Sequence, residues 1–236
     1  MAARLKPSRR IATAARWPVG VGLTSWRYMW RTTPMSRHEE SAGWDEHGPP
    51  ALPDDLPLDD VQGPGDGVGP MFHRRYRVEI GASTLAPEEL LSRVSSDPDS
   101  VAPTEFASFQ KTSGEEGRMA RGDEFVVRMP GPWDGPVRVV EVSDSSFRLA
   151  TLQGHLEAGQ IIFSASRSNG GVEFTIESWA QSADRLCDVL YDRLRMAKEI
   201  QLHMWTSFLE RVIELADGRR EGCLEILTRR VDEVPS

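Results

Sequence analysis

From about residue 71 onward, apolar and polar positions alternate in short runs, which is typical of strands with one buried face. The run 171–179 is the clearest, because Val172, Phe174 and Ile176 fall on one side and Glu or Thr residues stand between them. The other predicted strands are 73–80, 122–129, 136–142, 146–152 and 160–166. The turn residues between the runs, such as Asn169-Gly170-Gly171, predict an antiparallel meander.

Two segments after the first predicted strand carry shorter signals. Residues 86–96 predict a short helix, because Pro87 and two glutamates stand in its first turn, where a missing N–H and negative charge are both favourable. Residues 103–111 fit either a second short helix or the start of a strand.

The period changes after the strands. Ser182–Ala216 contains no Gly or Pro, and apolar residues recur at spacings of three and four. That apolar row is Leu186, Leu190, Leu194, Ala197, Met204, Phe208, Val212 and Leu215, with Gln201 as its polar member. Ser182 and Asp184 are candidate caps, and Gly218 marks the end. The pattern predicts one helix, about 50 Å long at about 1.5 Å per residue.

Only a broad sheet could cover the apolar stripe of so long a helix. We therefore expect an α+β fold in which a curved antiparallel sheet wraps around the long C-terminal helix, with the short helices after the first strand. A curved sheet and a helix rarely fill the space between them, so this packing predicts an interior cavity.

Charge divides the rest of the chain. Residues 1–38 carry eight Lys or Arg and no acid, whereas residues 39–70 carry nine acids and no Lys or Arg and are rich in Pro and Gly. We interpret 1–38 as a basic aromatic arm, 39–70 as an acidic linker, 71–216 as the folded domain and 217–236 as a C-terminal tail.

Two cysteines, Cys187 and Cys223, without a CxxC pattern argue against a disulfide framework and favour a reducing, cytoplasmic location. No run of about 18 apolar residues predicts a membrane-spanning helix. The aromatic and arginine residues of 16–31 fit either packing on the domain or a partner, or contact with an anionic membrane surface, which would make the protein peripheral to the membrane.

The folded region resembles the helix-grip fold of the START-like, or SRPBCC, superfamily, and more narrowly a domain-of-unknown-function family within it. The resemblance is carried by "GDEFVVRMPGPWDGPVRVVEV", "FRLATLQGHLEAGQIIF", "VEFTIESWAQSADRL" and the long helix. Its most specific part is the T-L-x-G-H-x-x-x-G loop beginning at Thr151, and the chain departs from it at Gln160, where an acid is common. The resemblance implies a pocket for lipids, polyketides or other apolar molecules. Some superfamily members are cyclases or hydrolases, but no catalytic residue is carried over.

His155 is the best single candidate for chemistry. Together with Glu157 it could form an acid/base pair at the mouth of the cavity. Alternatively, it is a loop histidine that hydrogen-bonds the backbone and stabilises the turn. Gln201 likewise either reaches a ligand or is a buried amide satisfied by the sheet. His203 falls off the apolar row, on the flank of the helix.

The turn "MPGPWDGP" places Trp133 at one end of the curved sheet, with Asp134-Gly135 supplying the reversal. Trp133 then either covers the cavity mouth or anchors the arm. Met204 and Phe208, in the apolar row, complete the predicted ligand-binding set.

No motif predicts a cofactor, and the scattered histidines lack the spacing of a metal site. The arginines of "HRRYR" (73–77) are better explained by a solvated edge strand than by nucleic-acid binding, since the domain is acidic. The leading hypothesis is binding of a small apolar ligand. An enzyme using the same cavity and an interaction module using the arm are the alternatives.

Overall fold

The computed structural model describes residues 35–103, 107–128, 134–183 and 196–231. The strands are β1 (Met35–Ala42), β2 (Val68–Gly81), β3 (Ser108–Ser113), β4 (Glu124–Arg128), β5 (Asp134–Val142), β6 (Ser146–Thr151), β7 (Glu157–Ser168), β8 (Gly171–Ser182) and β9 (Arg219–Val231). The α-helices are α1 (Trp44–His47), α2 (Pro87–Ser96) and α3 (Met196–Leu215), and Pro64–Asp66 and Pro98–Ser100 form 3-10 turns.

The strands of the described chain form one nine-stranded sheet in the order β1-β9-β2-β8-β7-β6-β5-β4-β3. The run from β4 to β8 is the predicted antiparallel meander, β3 adds an antiparallel strand at its edge, and β8 pairs antiparallel with β2. The sheet curves, and α3 lies against β2 and β9 on its concave side. This arrangement confirms the predicted α+β helix-grip fold.

The concave face of the sheet and the inner side of α3 form the main hydrophobic core. Tyr76, Val78 and Ile80 of β2 are buried on this face, as their alternation in the sequence predicts. Large side chains that share this core are Phe125, Phe147, Leu149, Phe163, Phe174, Ile176, Leu202, Trp205, Phe208, Leu209 and Val212. Each such side chain contributes roughly 1.5–3 kcal/mol when fully buried, so this face supplies most of the hydrophobic driving force.

The sequence analysis interprets residues 217–236 as a C-terminal tail, but most of this region forms strand β9. The chain leaves α3 through Asp217, whose φ of 47° is left-handed, and returns along the sheet as β9. Strand β9 inserts between β1 and β2 and pairs parallel with β1. Strand β2 is therefore interior, and the prediction that "HRRYR" is a solvated edge strand is wrong.

Arg77, which follows Tyr76 on β2, is held by ion pairs on the outer face of the sheet. Arg77 contacts Glu79 on its own strand at 2.5 Å, Glu173 on β8 at 2.6 Å and Glu225 on β9 at 2.8 Å. The charges of "HRRYR" and its neighbours thus match across three strands, which explains how an interior strand can be so polar on its outer face.

Much of the predicted acidic linker lies on the sheet. Residues 39–42 belong to β1, and residues 44–66, named the outer strap below, cross the convex face of β8, β7, β6 and β5. The strap has little regular secondary structure, as its Pro, Gly and Asp content predicts. That composition does not predict that side chains of the sheet bind the carbonyls of the strap.

The structure bears on three further local predictions. Asp134 and Gly135 pair with Arg128 and Val127 as the start of β5, so they do not form the reversal. Ser182, a candidate cap, is the last residue of β8, and Asp184 lies outside the described residues. The ambiguous segment 103–111 contains the start of β3 at Ser108.

Candidate functional site

The outer strap is held by side chains that point outward from the sheet. Trp179 Nε1 donates to the carbonyl of His47 at 3.0 Å, and Gln160 Nε2 donates to the carbonyl of Pro50 at 3.1 Å. Arg148 donates to the carbonyl of Ala51 at 3.0 Å. These three strap carbonyls accept hydrogen bonds from buried side chains, in place of the backbone N–H groups that a neighbouring strand would supply.

The strap also carries acidic side chains that meet buried arginine. Arg138 on β5 contacts both carboxylate oxygens of Asp60, at 2.7 and 2.8 Å, and donates to the carbonyl of Pro57 at 2.7 Å. The same guanidinium contacts Glu124 on β4 at 2.5 Å. Hydrogen bonds from Arg138 hold the pKa of Asp60 below its usual value of 3.8.

Gln62, at the far end of the strap, fixes the loop between β6 and β7. Its Nε2 donates to the carbonyls of His155 and Glu157 at 3.2 and 3.1 Å, and its Oε1 accepts from the N–H of Gly154 at 3.1 Å. Gly154 has a φ of 97°, a conformation that glycine adopts without steric cost. One amide side chain thus ties the strap to the loop that carries His155.

The other residues of the T-L-x-G-H-x-x-x-G motif are explained by this loop. The hydroxyl of Thr151 accepts from the N–H of Gly159 at 2.9 Å and lies 3.2 Å from the carbonyl of Gln62. A Cβ at Gly159 would overlap the carbonyl oxygen of Trp179 and lie 2.9 Å from the Cα of Ala180. The motif therefore describes a tightly packed strand connection.

His155 is bound to its own loop. Its Nδ1 lies 2.9 Å from the backbone nitrogen and 3.1 Å from the carbonyl oxygen of Glu157. Burial lowers the pKa of His155, and the neighbouring Glu157 offsets this only in part, which keeps the imidazole neutral near pH 7. The Glu157 carboxylate lies 3.4 Å from Gln201 Nε2. His155 and Glu157 meet through the backbone, as the turn-stabilising alternative requires.

A chain of polar side chains crosses the concave interior. Arg74 on β2, which is 5 % exposed, donates from a guanidinium nitrogen to Gln201 Oε1 at 2.9 Å. Gln201, on the inner side of α3, in turn reaches Glu157 at the start of β7. The guanidinium also lies over the ring of Phe72, 4.8 Å from its centroid. This chain joins β2, α3 and β7 at one end of the core.

Tyr76 adds a neutral phenol to this end of the interior. It is 2 % exposed and lies two residues from Arg74 on the same face of β2. Burial is the main reason that its pKa rises to about 12, and the charge of Arg74 opposes the rise. The phenol therefore keeps its proton and is available as a donor at all physiological pH values.

Beyond the polar chain, the interior is aromatic. Phe163 stacks on Phe147 with ring centroids 4.7 Å apart, and Trp205 and Phe208 of α3 pack against it at 5.6 and 5.5 Å. Phe208 is 1 % exposed, while Met204 is half-buried and packs against the edge of the same core. Rings in these tilted and edge-on arrangements form a well-packed apolar wall.

The predicted site residues thus separate into two places. Gln201 and Phe208 lie on the inner side of α3, and Met204 lies beside them, whereas His155 belongs to the loop held by the outer strap. Trp133 and the segment 16–31 lie outside the described residues.

Three interior polar residues were missed by the sequence analysis. Arg74 had a readable signal, because the alternation that buries Tyr76 also puts residue 74 on the concave face. Ser178 extends the alternation of β8 in the same way, two positions after Ile176. Trp205 had a helical signal, since it stands one turn after Gln201. His203, predicted on the flank of the helix, is buried at 8 % exposure, and its Nδ1 lies 3.5 Å from Ser207 Oγ.

Within the described ranges, no group of three or more His, Cys, Asp or Glu residues is arranged to hold a metal ion. The helices of that same part of the chain are all too short or too polar to cross a membrane.

Comparison with known proteins gives low-identity structural similarities. Major latex-like protein 151 from Panax ginseng is 11% identical, with a TM-score of 0.45, and the match covers 62% of this chain and 97% of that protein. Protein NE0264 from Nitrosomonas europaea is 12% identical, with a TM-score of 0.42, over 62% of this chain and 94% of that one. Norcoclaurine synthase from Thalictrum flavum is 11% identical, with a TM-score of 0.42, over 63% and 98%. No curated protein matches significantly.

The family comparison is more direct. A family model described as "Domain of unknown function (DUF1990)" matches residues 70–211, which is more than half of the chain. The match begins in β2 and runs through the meander into α3, so it covers the strands and the helix that form the grip. It also covers the T-L-x-G-H-x-x-x-G loop, on which the resemblance rested. The chain belongs to the DUF1990 family of domains of unknown function.

Proposed function

We propose that the protein binds a small apolar molecule between the concave face of its sheet and α3. The observation that carries this proposal is the polar chain Arg74–Gln201–Glu157 inside an otherwise apolar interior. An apolar wall with a few fixed polar groups is the usual composition of a small-molecule site, because the wall provides affinity and the polar groups provide orientation.

The burial of Arg74 supports the same proposal. Taking a guanidinium out of water is costly, and a well-packed apolar residue would often be at least as stable in its place. A requirement for a stable core therefore does not explain a guanidinium at position 74. A protein that must orient a ligand gains from it, because a buried cation and the amide of Gln201 discriminate between ligands by the position of their polar group.

The first test is direct. Native mass spectrometry of the purified full chain should show a bound small molecule, and a panel of lipid-like and polyketide-like compounds should include members that raise Tm. A ligand at 100 times its Kd adds about 2.7 kcal/mol to the free energy of unfolding, which a thermal scan resolves easily. A protein that carries no extra mass and whose Tm no compound raises would contradict the proposal.

A variant locates the binding. Gln201→Leu removes the amide that joins Arg74 to Glu157, and it should weaken binding of a panel hit by about tenfold, or about 1.4 kcal/mol. Gln110→Leu is the matched control, because it makes the same change on the exposed strand β3. Equal affinities for the two variants would mean that the ligand binds elsewhere.

A further inference from the structure

Besides the guanidinium of Arg74, which donates through Nη1 to Gln201, two buried polar atoms on the concave side have no hydrogen-bond partner among the described residues. They are Ser178 Oγ on β8 and Trp205 Nε1 on α3, in side chains that are 4 % and 7 % exposed. Each is the single polar atom of its side chain, so nothing else in that side chain compensates. Leaving a buried donor unsatisfied is costly, because no hydrogen bond offsets the loss of its contact with water.

The register of the sheet puts both atoms in the same part of the interior. Ser178 pairs with Arg74 on β2 and with Ile161 on β7. Helix α3 crosses this place, because Gln201 contacts Arg74 and, one turn later, Trp205 packs against Phe163, two residues along from Ile161. Ser178 and Trp205 therefore lie on the sheet side and the helix side of one region, next to the polar chain.

The donor chemistry defines what fits there. An indole N–H only donates, and a serine hydroxyl can donate, so the missing partner is a hydrogen-bond acceptor. The nearest charge along the sheet is that of Arg74, directly opposite Ser178 on the neighbouring strand. The backbone of Glu157 pairs with Ser182, about 13 Å further along β8 at about 3.3 Å per residue, and the Gln201 amide stands between the Glu157 carboxylate and the Arg74 guanidinium. The local charge thus favours an anionic acceptor.

The other side of the region is the aromatic wall of Phe147, Phe163 and Phe208. We infer that the ligand is an apolar carboxylic acid whose carboxylate accepts hydrogen bonds from Trp205 Nε1 and Ser178 Oγ near the Arg74 guanidinium, and whose apolar body lies on this wall. The inference rests on the proposed function and adds the chemical class of the ligand and the orientation in which it binds.

Dodecanoate and 1-dodecanol are the probes, because they share a chain and differ in the group at its end. Isothermal titration calorimetry of the full chain, with each probe below the concentration at which it forms micelles, should show dodecanoate binding at least tenfold more tightly. Ser178→Ala and Trp205→Phe should each lower the affinity for dodecanoate about fivefold and leave that for 1-dodecanol within about twofold, since each variant removes one donor to the carboxylate.

The matched control is Ser164→Ala, which removes a hydroxyl from the outer face of β7 and should leave both affinities unchanged. If Trp205→Phe lowers the folded fraction, Ser178→Ala still decides the matter, because it removes one atom that the fold does not use.

The possible failures are distinguishable. Equal binding of dodecanoate and 1-dodecanol, or unchanged dodecanoate affinity in Ser178→Ala, overturns the carboxylate inference and leaves apolar ligand binding standing. Failure of both probes to bind also overturns it, and hits from the wider compound panel then show whether the proposed function survives.

Discussion

The two faces of the sheet differ in how their buried polar side chains are bonded. On the outer face, Trp179, Gln160 and Arg138 are each hydrogen-bonded to a carbonyl of the outer strap. On the concave face, Ser178 and Trp205 each bury a single polar atom with no partner in the described part of the chain. The outer polar side chains therefore form hydrogen bonds that complete the fold. On the concave face, Ser178 Oγ and Trp205 Nε1 form none with the described residues.

Unsatisfied atoms also occur beneath the strap, but they differ in kind. His73 Nδ1 is buried without a partner among the described residues, yet His73 Nε2 lies 2.6 Å from Glu177 Oε1 and its ring stacks on Trp179 at 4.8 Å. Gln181 Oε1 is similar, because Nε2 of the same amide donates to the carbonyl of Pro64 at 2.9 Å. These side chains are anchored by their other polar atoms. The comparison teaches that these outer side chains are anchored through a second polar atom, whereas Ser178 and Trp205 have no second polar atom to take that role.

The largest expected effect comes from a position that both faces depend on. Gly159→Ala puts a Cβ against the backbone of Trp179 and Ala180, so β7 must move relative to β8. We expect a loss of about 3 kcal/mol in the free energy of unfolding, measured by urea denaturation.

Gly43→Ala is the control for that change, because a Cβ there meets nothing within 4 Å and its φ of −85° suits alanine. It should shift stability by about 0.5 kcal/mol or less. If Gly159→Ala were equally mild, the two strands would be able to separate without disturbing either face.

The next effect tests the outer network. Arg138→Ala removes the ion pair with Asp60 and Glu124 and the donor to Pro57, and should cost about 2 kcal/mol, since both carboxylates are partly exposed and can be hydrated. The pKa of Asp60 is depressed in the folded protein, so its contribution is present above pH 3.8 and is lost as the pH falls below that value. The stability gap between the two proteins should therefore narrow in acid.

Arg93→Ala provides the comparison at the surface. Arg93 forms an exposed pair with Glu89 on α2, and its removal should cost at most about 0.5 kcal/mol. If the difference in free energy of unfolding between Arg138→Ala and the native protein stayed constant through the acid range, the interaction with Arg138 would not depend on the ionisation of Asp60.

A smaller change probes the departure from the family motif at position 160. The Gln160 amide accepts from Arg148 at 3.2 Å and donates to the carbonyl of Pro50, and a carboxylate can do only the first. Gln160→Glu should cost about 1 kcal/mol near neutral pH, and less at a pH where the new carboxyl is protonated and can donate again. Gln110→Glu on exposed β3 should leave the free energy of unfolding unchanged. A similar loss of stability at both positions would mean that the hydrogen bond from Gln160 to the strap is not the cause.

The smallest effect is expected on the concave face in the unliganded protein. Ser178→Ala removes a hydroxyl without a partner among the described residues, so stability should stay the same or rise by up to about 1 kcal/mol. Thr151→Val removes a hydroxyl that is bonded to Gly159 and should cost about 1 kcal/mol. A loss at Ser178 as large as at Thr151 would make the concave hydroxyl structural and end the contrast between the faces.

The sequence by itself determined the meander, the final helix and the helix-grip architecture. Alternation fixed the meander strands and the buried side of β2, and the three-to-four spacing identified the helix to which Gln201 and Phe208 belong. These patterns are local, because a side chain's face follows from its position in a strand or a helix. The same logic would have assigned Arg74 and Ser178 to the concave face, since each is two positions from a residue that was correctly assigned.

Only the tertiary structure decided what the segments outside the meander do. The sequence of residues 44–66 does not predict that their carbonyls accept hydrogen bonds from Gln160, Arg148 and Arg138, because those donors are about 80 to 110 residues distant in the chain. Strand β9 is likewise recognisable only by its pairing with β1 and β2. Hydrogen-bond partnership between distant segments depends on how they pack together, and local periodicity does not record it. For that reason the tertiary structure alone separates the polar groups that complete this fold from those, such as Ser178 Oγ and Trp205 Nε1, that have no partner in the described part of the chain.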